Sequence, residues 1–369
     1  MQTTHALRLI LPAALFAVGC EVHAPEAGPA NSTTSEIGGY GTQPNGTGVH
    51  VGSTQPASWF GLAGNAGTWY MTGFSRHSDG SYWATGAYSL VAGLVTAEAS
   101  VQSAELNGQS FRVAGIHTSG SQLSIDLADA ANRTLTLQHA SLVGLTLLLR
   151  VPDPTGLLYT NYRFRFGSAA TLTSQFGDLY GYQIDSRTEG LLGASYASYC
   201  RGPNGESIPA VFYEGSQWNP LNGARTDGTN LITMTCQNGS VARCMSWGYR
   251  PWGTSQTASG ETVSLRDHHQ ACVHMKRASY CGDSTSSTID GTLIVVDDTL
   301  NPQLHTGPTD IVEALWTPTG ASCVSNRRHP ELPFIGCPLP LPTCPANPSG
   351  GYLLRSALPA AGTLGGLLD

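Results

Sequence analysis

Tyr162-Arg163-Phe164-Arg165-Phe166 sets an aromatic ring at every second position and a guanidinium between each pair. Successive side chains of a strand point to opposite faces, so this run reads as a strand with one apolar and one solvated side. The same period recurs upstream. Leu123, Ile125 and Leu127 alternate with polar residues, as do Leu135 and Leu137. Such alternation belongs to antiparallel sheets packed on one face. Ser78-Asp79-Gly80-Ser81, between Phe74 and Trp83, reads as a hairpin turn, because Asp-Gly tolerates positive φ. Leu142 to Leu149 is almost wholly apolar and reads as a strand buried on both faces, with a short core helix as the alternative.

These signals define a mainly β chain of antiparallel strands. It divides into a Gly/Thr-rich β part over residues 58–190 and a disulfide-rich, β-dominated domain over 191–328. Within the latter, Leu231 to Gln237, Asn238-Gly239 and Ser240 to Met245 read as a second hairpin around a two-residue type I′ turn. That register sets Cys236 and Cys244 on opposite faces, which forbids a bond between them. Asp290-Gly291 reads as a turn before a strand from Thr292 to Val296. No long helix-period stretch with caps stands out. Residues 329–369 form a Pro-rich extension, followed from about Asn347 by a loose tail.

The chain has nine cysteines. Cys20 stands alone, whereas Cys200, Cys236, Cys244, Cys272, Cys281, Cys323, Cys337 and Cys344 lie in the C-terminal half. An even set behind an export signal reads as a disulfide framework in an oxidising compartment. Cys337 and Cys344 bracket a short Pro-rich loop and are expected to pair with each other.

The export signal is residues 1–19. His5 and Arg8 precede an apolar run from Leu9 to Val18, and Phe16-Ala17-Val18-Gly19-Cys20 resembles a bacterial lipobox. Cys20 is therefore expected to carry acyl chains, which attach a protein stably when there are two or more. The alternative is an ordinary signal peptide cut after Ala24. The apolar run is about half of the ~20 residues that a membrane span needs. Residues 20–57 are Gly, Ser, Thr, Asn and Pro with few large apolar groups, and read as a flexible tether. Glu21, after Cys20, suggests the outer membrane or the cell surface by analogy with lipoprotein sorting.

Charged residues make up 12% of the chain and its formal net charge is −7. Lys and Arg are scattered. Nucleic-acid binding needs a concentrated basic surface, which this chain lacks.

A denser set of motifs lies in the second half. Cys244-Met245-Ser246-Trp247-Gly248-Tyr249-Arg250-Pro251-Trp252 is followed by His269-Gln270-Ala271-Cys272 and Arg277-Ala278-Ser279-Tyr280-Cys281-Gly282-Asp283. Thr288 to Thr292, Glu313-Ala314-Leu315-Trp316-Thr317-Pro318 and Ala321-Ser322-Cys323 complete the series. From about Leu191 to Arg328 the chain resembles the ADYC-domain family, found largely in exported lipoproteins of Gram-negative bacteria. Ser279 stands where the family's namesake tetrad has aspartate. The resemblance implies an extracytoplasmic, disulfide-stabilised domain and no particular activity.

Asp267-His268-His269 is the clustered titratable group nearest these motifs. His269, with Asp267 and Asp283, is the candidate acid–base or metal centre, and His274 a further ligand. The bland alternative is a hydrogen-bonded core histidine. No metal-ligand spacing of the H-E-x-x-H kind is present, and no metal or cofactor is expected. A thiol nucleophile at Cys272 or Cys281 would leave an odd partner among eight cysteines. Asp283, Asp290, Asp297 and Asp298 carry oxygen ligands but lack calcium-loop spacing. Trp247, Tyr249, Arg250 and Trp252 form either a ligand platform or a core filler between disulfides. The expected role is non-catalytic: an envelope lipoprotein attached to the membrane through Cys20, serving structurally or binding an envelope protein or a glycan. The rivals are an extracytoplasmic hydrolase using His269 and a carbohydrate-binding module using Tyr249 and Trp252.

Overall fold

A computed structural model describes residues 42–45, 69–90, 93–174, 176–189, 195–202, 205–219, 223–283, 285–289, 292–301, 303, 311–332, 334, 336–348 and 350–358. These residues belong to one compact unit, Gly39–Asp369. The signal segment, Cys20 and Asp290 lie outside the described residues.

Antiparallel strands dominate, as the alternating runs predict. In chain order they are β1 (Thr42–Asn45), β2 (Trp69–Arg76), β3 (Tyr82–Leu90), β4 (Gly93–Leu106), β5 (Gln109–Ser119), β6 (Gln122–Ala128) and β7 (Thr134–Gln138). Then come β8 (Thr146–Pro152), β9 (Tyr159–Leu172), β10 (Leu179–Thr188), β11 (Ala197–Ser198), β12 (Ala210–Trp218) and β13 (Arg225–Cys236). The last are β14 (Thr254–Gln256), β15 (Thr262–Ser264), β16 (Thr292–Asp298), β17 (Ile311–Thr317), β18 (Gly320–Val324) and β19 (Leu354–Leu358). Among the described residues two α-helices, α1 (Ser240–Ser246) and α2 (Arg266–Arg277), and a 3-10 turn, His139–Leu142, interrupt the series.

The largest sheet runs β3-β2-β13-β12-β10-β9-β8-β4, and β4 pairs back onto β3 from Leu90↔Gly93 to Trp83↔Ser100. Eight strands thus close a barrel, a size whose interior side chains can fill. Trp69 on β2 reaches Phe164 on β9, directly across the barrel, at 6.3 Å between ring centroids. Phe166, Tyr182 and Phe212 fill the space beside them. Arg163 and Arg165 face outward and pair with Glu105, Glu189 and Asp185. Apolar inside and charged outside is the reverse of a membrane-spanning barrel. No helix among the described residues is long and apolar enough to cross a membrane.

Strand β4 also continues into β5, β6 and β7. This flap packs on the barrel through Ile116, Leu123, Ile125 and Leu127, each 2% exposed or less. Polar latches hold it: the Leu123 amide donates to the Tyr182 hydroxyl at 2.8 Å, and the Thr118 amide donates to Glu214. A second sheet, β1-β16-β19-β17-β18, carries α2. The Ser78–Ser81 turn forms as read, with Gly80 at φ +84° and Asp79 accepting the Ser81 amide at 2.9 Å.

Several expectations are corrected. The boundary at 190/191 does not separate two folding units, because β10 pairs with β12 and β13 pairs with β2. The hairpin over 231–245 is not formed. Gly239 sits at φ −67°, not in the left-handed region a type I′ turn requires, and Ser240–Ser246 is helical. Residues 142–145 lie outside β8, and within it Leu147 and Leu149 are buried while Leu148 is half-buried. The supposed loose tail contains β19, which sits between β16 and β17. Thr42–Asn45, inside the supposed tether, pairs with β16.

The disulfides are Cys200–Cys236, Cys244–Cys272, Cys281–Cys337 and Cys323–Cys344. Cys236 and Cys244 do not bond, but the reason is a strand-to-helix change rather than opposite sheet faces. Cys337 and Cys344 do not bond either. Each instead ties the Pro-rich extension back to the family motifs. The four loops close 21 to 56 residues, worth about 3–4 kcal/mol each in the chain-entropy account.

Candidate functional site

Helix α2 carries the candidate residues, and its surroundings determine what they can do. It lies between the outer face of β12–β13 and the second sheet. Nine of its residues, from His268 to Arg277, are buried, polar ones included. His269 is 0% exposed, with its ring between Tyr213 and Trp218 at 5.9 and 5.7 Å. Its Nε2 lies 3.0 Å from the Val241 carbonyl oxygen, which requires the Nε2–H tautomer and ties α2 to α1. Burial, with Arg225 adding to it, pushes the His269 pKa down to about 3.

The intended partners of His269 point elsewhere. Asp267 is 60% exposed at its side chain and pairs with Arg225 at 3.0 Å. Asp283 accepts the Thr285 amide in a turn beyond the helix. His274 and His268 are buried, and burial lowers each to a pKa of about 4. Among the described residues no cluster of three or more His, Cys, Asp or Glu could hold a metal.

The aromatic group is also dispersed. Tyr249 is 0% exposed and donates to Asp298 at 3.0 Å. Trp247 is buried, Arg250 donates to the Gly177 carbonyl at 2.6 Å, and Trp252 stands 37% exposed near Gly120. No shared flat surface results, so the paired Tyr249/Trp252 platform is not formed. Asp297 pairs with Arg355, away from any grouping with Asp283. Two clefts lie on the barrel instead. One, of about 190 Å³, is lined in part by Arg76, His117 and Glu214, and the other, of about 350 Å³, by Thr72, Thr85, Glu98 and Gln217. Neither includes His269, Asp267 or Asp283.

The densest polar construction sits at the other end of α2. Glu313 on β17 and Arg328 are both 0% exposed at their side chains and pair at 2.9 Å. Arg328 also donates to the Met275 and Lys276 carbonyls at 2.9 and 3.3 Å, capping the last turn of α2. Tyr280 donates to Glu313 at 2.8 Å and accepts the Arg328 amide at 2.9 Å. Its ring stacks on Trp316 at 5.5 Å. A buried pair persists where its remaining donors and acceptors are satisfied, as they are here.

The ADYC domain profile matches residues 139–330, just over half of the chain. The chain belongs to the ADYC domain family. No curated protein and no solved structure matches it. The match begins well before Leu191, so the ADYC region includes β8, β9 and β10 of the barrel as well as the disulfide-rich part.

The tetrad that names the ADYC family is Ala278-Ser279-Tyr280-Cys281 here, and each member has a structural task. Ala278 ends α2 in the left-handed conformation, φ +48°, with its amide on the His274 and Met275 carbonyls. The buried Ser279 hydroxyl donates to the Asp283 carbonyl at 2.5 Å. An ionised aspartate in place of Ser279 would have no proton for that bond. Tyr280 joins the ion pair, and Cys281 bonds Cys337. Gly282 follows at φ +70°, where a Cβ would lie 1.8 Å from the Thr319 carbonyl oxygen. The importance of Glu313 and Arg328 was missed in the sequence. The available signal was a lone carboxylate inside the apolar run Ile311-Val312-Glu313-Ala314-Leu315-Trp316.

Proposed function

We propose that this ADYC protein is a non-catalytic lipoprotein of the cell envelope, held at a membrane by acylated Cys20 and serving as a structural or binding module. The observation that carries this reading is the enclosure of its signature residues. Tyr280, Glu313, Arg328 and the α2 histidines all sit inside the fold, and none of them lines either cleft. Catalysis needs such groups within reach of a substrate. Four disulfides suit an oxidising, extracytoplasmic compartment. The lipobox-like stretch supplies the attachment point, and the outer membrane is the proposed site.

Two measurements on the full chain expressed in a Gram-negative host test this together. Radiolabelled palmitate should enter the wild type and not Cys20→Ser. A non-reducing peptide map should return 200–236, 244–272, 281–337 and 323–344 with no free thiol among them. An unlabelled wild type would end the lipoprotein reading. Several free thiols would end the extracytoplasmic one.

A further inference from the structure

The loop joining β8 to β9 exposes apolar side chains on a rigid frame. Leu157 is 81% exposed, Leu158 70% and Tyr159 53%. Exposed leucines usually sit in slack chain, but this loop is tightly bonded. The Asp153 carboxylate accepts from the Leu157 and Leu158 amides at 3.0 and 3.1 Å and from the Thr155 hydroxyl at 2.8 Å. The Asp153 amide donates to the Leu158 carbonyl at 2.8 Å, and Gly156 turns the chain at φ +73°. The base is fixed too, since the Tyr88 hydroxyl donates to the Pro152 carbonyl at 2.8 Å. The two leucines are therefore held out in water with little freedom to fold back.

We propose that this tip inserts into the surface of a lipid bilayer. Three features favour that occupant. The first is size. Two leucines and a tyrosine offer a few hundred Å² of apolar surface, far below the roughly 800 Å² per partner of a stable protein interface. A bilayer needs no matching shape. The second is charge placement. Asp153 directs its oxygens back into the loop, and Arg150 stacks on the Tyr159 ring at 4.1 Å, one step behind the leucines. An apolar apex with an aromatic ring and a cation set behind it fits acyl chains below anionic headgroups. The third is proximity, which rests on the Cys20 attachment proposed above. An acyl anchor holds the chain near a membrane, and the tip would fix which end of the barrel faces it.

The test uses the mature chain from residue 20 onward carrying Cys20→Ser, so that neither acyl chains nor the apolar run Leu9 to Val18 contributes. It is floated with vesicles of phosphatidylethanolamine and phosphatidylglycerol in a 3:1 ratio, against the same chain with Leu157→Ser and Leu158→Ser added. The partition coefficient should fall about tenfold in the leucine double variant, the order expected for two partly buried leucines. Arg150→Gln should lower it less, and the melting temperature should not move in any of them. Equal partition of the two chains, or binding by neither, overturns the proposal. So does self-association in sedimentation that is lost with the leucines while flotation stays absent, which would make the tip a contact between copies. Failure of palmitate to label Cys20 overturns the anchor and leaves the flotation result standing.

Discussion

Glu313→Ala should destabilise the protein by about 3–5 kcal/mol, the loss expected when one member of a buried ion pair is removed. The cost comes less from the lost attraction than from what remains. Arg328, 0% exposed, keeps its charge and its bonds to the Met275 and Lys276 carbonyls but loses its counter-ion. The Tyr280 hydroxyl loses its acceptor in the same step. Arg328→Met should cost a similar amount, because it strands the Glu313 carboxylate and uncaps α2. The double variant should cost clearly less than the sum, since no charge is then left unpaired. Urea unfolding followed by tryptophan fluorescence reads all three, with Trp316 stacked on Tyr280 as a local reporter. Additive losses would show that the two residues act independently and that the node is not one unit.

Acid should loosen the α2 layer over a defined window. Burial lowers His268 and His274 to pKa values of about 4 and His269 to about 3. Arg225 adds to the effect on His269 and Arg277 to that on His274, while Asp267 opposes it at His268 and Asp283 at His274. An unfolded chain protonates its histidines near pH 6.5. Between there and pH 4 the unfolded state binds more protons than the folded one, so stability falls as pH falls. At about 1.4 kcal/mol per pH unit for each group, the three together lose several kcal/mol by pH 4. His269→Gln, whose amide can still donate to Val241, should reduce the slope by about a third. Urea midpoints at pH 7, 6, 5 and 4 measure it. A flat profile would mean that these imidazoles reach solvent in the folded protein.

What the residues announce and what they conceal divide along physical lines. Period-two runs such as Leu123-Ile125-Leu127 and Tyr162-Phe164-Phe166 name their strands, because one face is packed and the other wet. Closure of the barrel is not written locally. It depends on β2 meeting β13 and β4 meeting β8, pairings that join residues about 160 and about 45 apart in sequence. Helix α2 is hidden for a different reason. Eight of its twelve residues are polar or charged, so although its few apolar side chains gather to one side, nothing in its composition announces that His268, His269, His274, Lys276 and Arg277 are buried as well. Asn238-Gly239 misleads because Asn238 donates its side chain to the Arg201 carbonyl and Gly239 precedes a helix. The cysteines declare a disulfide framework by count but not by partner. Pairing follows the fold that brings Cys281 to Cys337, and spacing alone favours the wrong neighbour. The histidines and aromatics were visible as types, and their burial was not.

Enclosure of the family signature is the claim on which the non-catalytic reading stands, and histidine accessibility probes it at once. Brief treatment of the native protein with diethyl pyrocarbonate at pH 7, followed by peptide mass spectrometry, compares reactivities along the chain. His77 and His117, 38% and 50% exposed at their side chains, should be modified quickly, while His268, His269 and His274 should stay unmodified until urea is added. Rapid modification of His269 in the folded protein would contradict that enclosure and return a solvent-facing site to α2.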